Sequence, residues 1–182
     1  MIPARLLAPL AALALLAAGC GDDKESASTG TNSATTPAET TPAEPEATTG
    51  EAPAVANADD LSTKPEIATP AGDPPTALIK EDLVVGEGAA IKKGQLATVE
   101  YVGVSWSTGE EFDASWGGQP FQFPVGRQQV ITGWDEGIPG MKVGGRRELV
   151  IPPDQAYGPQ SPGPGIGPNE TLVFVVDLKR IG

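Results

Sequence analysis

The sequence predicts an α+β fold in which a curled antiparallel β-sheet of about five strands wraps over one short α-helix. Three observations support this prediction. Short apolar segments with a period of two recur in the C-terminal part of the chain, as in β-strands. Only one stretch has a helical pattern. All nine aromatic residues lie between Tyr101 and Phe174, so the core has to form within that window.

The N-terminus has the features of a secretory signal peptide. Residues 6–18 form an apolar run that follows Arg5 and is too short to span a bilayer comfortably. Small residues precede Cys20, the only cysteine of the 182-residue chain. The segment LAAGC resembles a bacterial lipobox, and this resemblance implies cleavage before Cys20 and a diacylglycerol anchor on its sulfur. The alternative is an ordinary signal peptide with an incidental cysteine.

A tether is predicted after the signal peptide. Between Gly21 and Pro75 there is no Phe, Trp or Tyr, and eleven acidic residues against two lysines give a net charge of −9. Such a segment cannot bury enough apolar surface to offset the entropy of ordering its backbone, so we expect disorder. The predicted organisation is a lipoprotein signal peptide over residues 1–19, a lipidated and disordered tether over 20–75 and a folded domain over 76–182.

Five segments of the folded domain carry the strand pattern. The clearest is LATVEYVGVSW, in which Ala97, Val99 and Tyr101 share one face. The segment TLVFVVDLKR near the C-terminus alternates in the same way. The predicted strands cover residues 83–85, 96–106, 121–125, 148–153 and 171–180.

One short helix and one long loop complete the predicted domain. The helix is predicted over 131–138, where Thr132 and Asp135 have the spacing of a capping box and a Gly- and Pro-rich stretch follows. Residues 158–168, GPQSPGPGIGP, must form a loop. This loop carries a lone Ile166, which has little reason to be there unless its side chain packs against the domain.

The composition excludes several classes of chemistry. The chain has no histidine, which removes a Ser-His-Asp triad and imidazole metal ligands. The piece GGR does not match a phosphate-binding loop. The folded part has nine basic and thirteen acidic residues without a basic stripe, which argues against nucleic acid. No cofactor or metal is predicted, and an aromatic cluster with few polar groups remains.

Rotation about an Xaa-Pro peptide bond is a reaction that such a cluster can accelerate. The barrier of roughly 18–20 kcal/mol comes from amide resonance, and no bond is broken. An apolar pocket that holds the proline ring and removes water from the amide favours the twisted state, and hydrogen bonds to the displaced carbonyl add to this effect. A ten-thousand-fold acceleration needs only about 5 to 6 kcal/mol.

Five sequence blocks resemble the FK506-binding-protein (FKBP) family of peptidyl-prolyl cis-trans isomerases. The resemblance extends over essentially all of residues 78–181 and implies an FKBP-like fold and rotamase activity. The blocks are VEYVG at 99–103, EEFDAS at 110–115, PFQFPVG at 120–126, VITGWDEGIPGMKVGGRRELVIPPDQAYG at 130–158 and NETLVFVVDL at 169–178.

The resemblance also implies a set of site residues. Trp134 is expected as the floor under the proline ring, the Ile131 backbone N–H points to the ligand carbonyl, and the Tyr157 hydroxyl donates to the substrate carbonyl. Ile166 is expected to close the flap, and apolar walls surround the ring. The expected catalytic residues are Asp113, Tyr157, Trp134 and Ile131, and the expected substrate-binding residues are Tyr101, Phe112, Phe121, Val130, Ile166 and Phe174. Trp106 and Trp116 match no pocket position and are expected at the rim.

The expected partners follow from the same resemblance. They are Xaa-Pro segments of unfolded or exported polypeptides and macrolides similar to FK506 or rapamycin, with no nucleic acid. Contact with the membrane is expected only through the Cys20 lipid, at the extracytoplasmic face of a bacterial membrane, and the domain is expected to be a monomer. Two alternatives stay open: a peptide-holding module with negligible turnover, and an acidic tail that acts as a wall spacer with the domain ancillary to it.

Overall fold

A computed structural model describes residues 50–182 of the chain. The predicted signal peptide, Cys20 and the first part of the predicted tether lie outside the described residues. The strands are β1 Val55–Ala56, β2 Glu66–Ile67, β3 Ile79–Val84, β4 Leu96–Ser105, β5 Glu111–Ala114, β6 Phe121–Pro124, β7 Arg146–Ile151 and β8 Leu172–Ile181, with the helix α1 at Thr132–Gly137 and a 3₁₀ turn at Pro153–Gln155.

Six of these strands form one antiparallel sheet, and the predicted α+β fold class is confirmed. The order is β3-β7-β8-β4-β5, and β6 pairs with the first half of β4 while β5 pairs with its second half. β1 and β2 form a separate two-stranded sheet. The sequence analysis expected about five strands and did not predict β5, β1 or β2. No helix among residues 50–182 is both long and apolar enough to cross a bilayer.

The helix packs on the inner face of the sheet because glycine lets it come close. A Cβ on Gly133 would lie 2.4 Å from the Ile151 side chain, and one on Gly137 would lie 2.7 Å from Leu149. Trp134 and Ile138 therefore reach the core, where they join apolar side chains of β4, β6, β7 and β8. Packing of this kind, and not the propensity of a six-residue helix, stabilises α1.

The predicted capping box at the start of α1 is wrong. Ile131 is the N-cap, and no side chain caps the helix. The Asp135 carboxylate instead accepts hydrogen bonds from the backbone N–H groups of Gly126 (2.8 Å) and Gln128 (2.7 Å). Because both carboxylate oxygens accept backbone hydrogen bonds from the preceding loop, Asp135 holds that loop against the start of the helix.

Residues 50–75, named the strap here, are ordered against the outer face of the sheet. This differs from the expectation that the tether is disordered up to residue 75. Ala52 and Ile67 of the strap pack on a second apolar cluster formed by Val104, Trp106, Val150 and Val173. The indole N–H of Trp106 donates to the Gly72 carbonyl at 3.3 Å. The strap covers apolar surface that the sheet would otherwise expose, which offsets the entropy cost of ordering it.

Candidate active site

An open cavity of about 270 Å³ lies at one end of the inner face of the sheet. Strands β4, β5, β6 and β8 supply side chains to it, together with the segment before α1, the helix itself and the chain after β7. The lining residues are Tyr101, Phe112, Asp113, Phe121, Gln129, Val130, Ile131, Trp134, Tyr157 and Phe174.

Trp134 lies at the centre of the aromatic residues. Its ring packs edge-on against Tyr101 at a centroid distance of 5.2 Å and against Phe174 at 5.3 Å. Phe121 lies 6.1 Å away, also edge-on. Trp134 is only 4 % exposed. These edge-to-face contacts hold the indole rigidly, so it presents a fixed apolar surface.

Tyr101 and Asp113 form a polar pair on the cavity wall. The Tyr101 hydroxyl donates to Asp113 Oδ2 at 2.5 Å. Burial raises the pKa of Tyr101 above its usual value, and the hydrogen bond and charge of Asp113 raise it further. The phenol therefore stays protonated at neutral pH and remains a hydrogen-bond donor to Asp113.

Tyr157 lies at the mouth of the cavity. Its side chain is 40 % exposed, and within residues 50–182 its hydroxyl makes no hydrogen bond. Burial raises the pKa of Tyr157, and the charge of Asp113 adds to this effect. The hydroxyl is therefore protonated and free to donate to a ligand.

The loop that leads into α1 leaves a backbone donor without a partner among the described residues, at Ile131 in the cavity lining. The Ile131 carbonyl accepts the N–H of Trp134 at 3.0 Å and so begins the helix. Among the hydrogen bonds of the described residues, none uses the N–H of Ile131. Gln128 has a positive φ of 56°, and its N–H is held by Asp135. The arrangement combines a rigid, mostly apolar floor with three donors that have no partner among residues 50–182: the Ile131 N–H, the Tyr157 hydroxyl and the buried indole N–H of Trp134.

The model of the family described as "FKBP-type peptidyl-prolyl cis-trans isomerase" matches residues 87–179. The chain belongs to this family. The FKBP family binds Xaa-Pro peptides and FK506-type ligands, and its members are peptidyl-prolyl cis-trans isomerases. The expected family, activity and enzyme class are therefore confirmed.

Curated and solved FKBP relatives agree with this assignment. An FK506-binding protein of Streptomyces anulatus is 56% identical over 120 residues, covering 65% of this chain and 97% of the relative. A probable FK506-binding protein of Corynebacterium glutamicum is 53% identical over 116 residues, covering 63% and 96%. Among solved structures, FkpA from Escherichia coli has a TM-score of 0.52 and 41% identity, covering 58% of this chain and 48% of its own. AtFKBP13 has a TM-score of 0.53 and 37% identity, covering 60% and 96%.

The structure brings nine of the ten predicted FKBP site residues to the cavity, and Ile166 is the exception. Ile166 packs into the main core with 8 % exposure, and its carbonyl accepts a hydrogen bond from Ser161 Oγ at 2.6 Å. The loop turns through Gly165 at φ +83°, where a Cβ would come within 3.0 Å of Phe112. Ile166 therefore braces the loop beside Phe112 and does not line the cavity.

Sequence reasoning missed Gln129, which also lines the cavity. It lies in the polar stretch RQQ, where nothing in the pattern distinguishes one glutamine from the other. The only available signal was its position next to Val130. The side-chain roles of all these residues in the isomerase reaction stay predictions.

Proposed function

We propose that this FKBP-type isomerase is a lipid-anchored enzyme that acts on exported polypeptides at the extracytoplasmic face of a bacterial membrane. The carrying observation for the isomerase site is the rigid Trp134 floor flanked by the free Tyr157 hydroxyl and the free Ile131 N–H. The lipobox-like LAAGC supports the anchor. The substrates are Xaa-Pro segments with an apolar residue before proline, since the cavity walls are apolar.

The reaction proceeds by differential binding without covalent chemistry. Trp134 holds the proline ring while Tyr101, Phe121 and Phe174 remove water from the amide, and the planar amide loses more from this than the twisted one. As the Xaa carbonyl rotates out of plane, the Tyr157 hydroxyl and the Ile131 N–H donate to oxygens of the substrate. Asp113 fixes Tyr101 in the wall. Both phenols stay protonated throughout, because their pKa values are raised.

The anchor is tested in cells that express the full chain. The wild type, Cys20→Ala and the pocket variant Asp113→Ala with Tyr157→Phe are fractionated, and each fraction is assayed for isomerisation of a short Xaa-Pro peptide. We expect activity in the membrane fraction for the wild type and in the soluble fraction for Cys20→Ala, with incorporation of a labelled fatty acid only when Cys20 is present.

Two results would overturn parts of this proposal. Equal partition of wild type and Cys20→Ala would remove the lipid anchor while leaving the isomerase intact. Membrane-bound protein that binds the peptide without accelerating exchange would show a holding module at the same place. The pocket variant controls for isomerase activity that comes from other proteins in the fraction.

A further inference from the structure

Trp116 connects the strap on the outer face of the sheet with the cavity on the inner face. It lies three residues after Asp113, in the segment 115–120 that joins β5 to β6 and is named the Trp116 loop here. We propose that Trp116 is a positioning residue: the docked strap holds its ring through Arg146, and the ring holds the cavity wall that carries Asp113. This inference rests on the isomerase function proposed above.

The Trp116 loop is tied to the cavity wall at Ser115. The Ser115 N–H donates to the Tyr101 carbonyl at 3.0 Å, and Ser115 Oγ accepts the N–H of Tyr101 at 3.0 Å. A turn closes the loop, because the N–H of Gly118 donates to the Ser115 carbonyl at 3.1 Å. Any shift of Trp116 therefore acts on the strand pair that carries Tyr101 and Asp113.

Two cations hold the ring of Trp116. The Lys179 ammonium lies 5.3 Å from the ring centroid, and the guanidinium carbon of Arg146 lies 5.9 Å from it. Both distances lie within the range of cation–π attraction. The buried indole N–H of Trp116 has no hydrogen-bond partner in the part of the chain that the structure describes. The ring is thus positioned by cation–π contacts and not by a hydrogen bond of its indole N–H.

Arg146 also holds the strap. Its buried guanidinium pairs with Asp177 through two hydrogen bonds of 2.6 and 2.9 Å. Its remaining donors reach the backbone carbonyls of Asn57 and, at 3.2 Å, of Thr63. The side chain that packs on Trp116 is therefore also the one whose hydrogen bonds the strap carbonyls accept.

The shared guanidinium couples the two sites energetically. If the strap leaves, Arg146 loses its two carbonyl acceptors on the strap, and water has to replace them. The guanidinium then shifts toward that water, and its cation–π contact with Trp116 weakens. The strap thus has a docked and an undocked state in this proposal. The position of the cavity wall depends on which of the two states is populated.

Variants of Trp116 in the full chain test this coupling. Trp116→Leu removes the aromatic face, and Trp116→Phe retains it. We expect Trp116→Leu to lower kcat/KM about three- to tenfold and Trp116→Phe to stay within about twofold of wild type. In the background of Asp113→Ala, Trp116→Leu should have less than about twofold effect, because its action passes through the same wall.

Lys179→Met is a second variant for the case that Trp116→Leu fails to fold. It removes the cation nearest the ring, together with its ion pair to Glu100 at 2.8 Å and its 3.5 Å hydrogen bond to the Leu61 carbonyl of the strap. We expect a smaller loss of kcat/KM in the same direction. Trp106→Phe is the matched control. It removes a tryptophan that contacts the strap at Gly72 but not the Trp116 loop, so its loss of stability should exceed its effect on kcat/KM.

The strap side is tested with Ile67→Glu, which disrupts the apolar contact of the strap with the sheet. We expect faster proteolysis of the strap, a lower kcat/KM in the wild-type background and no further loss in Trp116→Leu. An unchanged kcat/KM in Trp116→Leu, or an equal fold-loss with and without Asp113, would overturn the proposal. So would a strap that is cleaved readily while kcat/KM stays at the wild-type value.

Discussion

At the residue scale, the Tyr157 hydroxyl is an exposed hydrogen-bond donor at the mouth of the cavity. The Tyr101 hydroxyl is committed to Asp113, whereas Tyr157 lies at the mouth with no partner among the described residues. We expect Tyr157→Phe to lower kcat/KM about tenfold, because one neutral hydrogen bond made in the transition state contributes about 1.4 kcal/mol. Peptide-exchange kinetics measure this, and an unchanged rate in a folded variant would exclude Tyr157 as a donor.

Neither tyrosine of the site changes its charge near neutral pH. The chain has no histidine, and the pKa values of Tyr101 and Tyr157 are raised, so both phenols stay protonated. We expect kcat/KM of the folded enzyme to be nearly constant between about pH 5 and 8. A bell-shaped profile centred near 6.5 in that range would show that a titrating acid or base takes part.

Glu148 titrates in that range but lies outside the site. It is 1 % exposed, lies opposite Glu81 of β3, and its Oε1 has no hydrogen-bond partner among residues 50–182. Burial, with the charge of Glu81, raises the pKa of Glu148 from 4.5 to about 8. Between these values the folded state retains a proton that the unfolded state has lost, so the contribution of Glu148 to stability is greatest below about pH 4.5 and falls as pH rises to about 8.

Glu148→Gln tests this dependence, because an amide keeps the shape without a charge. We expect the free energy of unfolding of the wild type to fall between pH 5 and 8 and that of the variant to fall less. The variant should be more stable at pH 8 by on the order of 1–3 kcal/mol. Parallel curves from denaturant unfolding for the two proteins would contradict the raised pKa.

At the element scale, the strap distinguishes this domain from the isomerase module that the sequence predicts. Its half-buried Ile67 and Ala52 cover Val104, Trp106 and Val150. A chain that begins at residue 76 loses this cover and the two strap carbonyls that accept hydrogen bonds from Arg146. We expect it to melt at least several degrees below a chain that begins at residue 50.

Thermal unfolding of the two chains checks this prediction. Activity at low temperature separates stability from function: if Trp116 couples the strap to the cavity, the shorter chain is also less active per folded molecule. Equal melting temperatures would show that the strap adds nothing to the stability of the sheet.

The sequence predicted the central strands because each is apolar on at least one face and alternates regularly. β5, EFDA, escaped prediction because it is an edge strand of four residues with two acids, and it pairs only with β4. The strap escaped because its few apolar side chains are diluted in an acidic, Pro-rich segment. The strap is ordered because it packs on the outer face of the sheet. The sequence pattern of the strap alone does not indicate that this face is available.

Most of the candidate site could be predicted from the order of the motifs. The residues that were misplaced or not predicted owe their positions to tertiary contacts. Nine expected residues meet at one cavity because consecutive strands bring their motifs together. Ile166 was expected over the cavity and packs in the core, since the loop folds beside Phe112. Trp116 matched no motif, and its neighbours Arg146 and Lys179 lie far from it in the sequence.

At the scale of the whole molecule, the two faces of the six-stranded sheet have different roles. The inner face holds the isomerase cavity, and the outer face holds the strap that continues toward the predicted tether and anchor. A domain covered on its outer face presents the open cavity to a mobile polypeptide without exposing the sheet.

We propose that this cavity accelerates the isomerisation of Xaa-Pro bonds by desolvation and hydrogen bonding. A protease-free exchange assay on a short Xaa-Pro peptide, with residues 50–182 and their Asp113→Ala, Tyr157→Phe double variant, tests this mechanism. We expect the domain to accelerate exchange and the double variant, still folded and melting near the wild-type temperature, to lose most of that acceleration. A folded wild-type domain that binds the peptide but leaves its exchange rate unchanged would refute this mechanism.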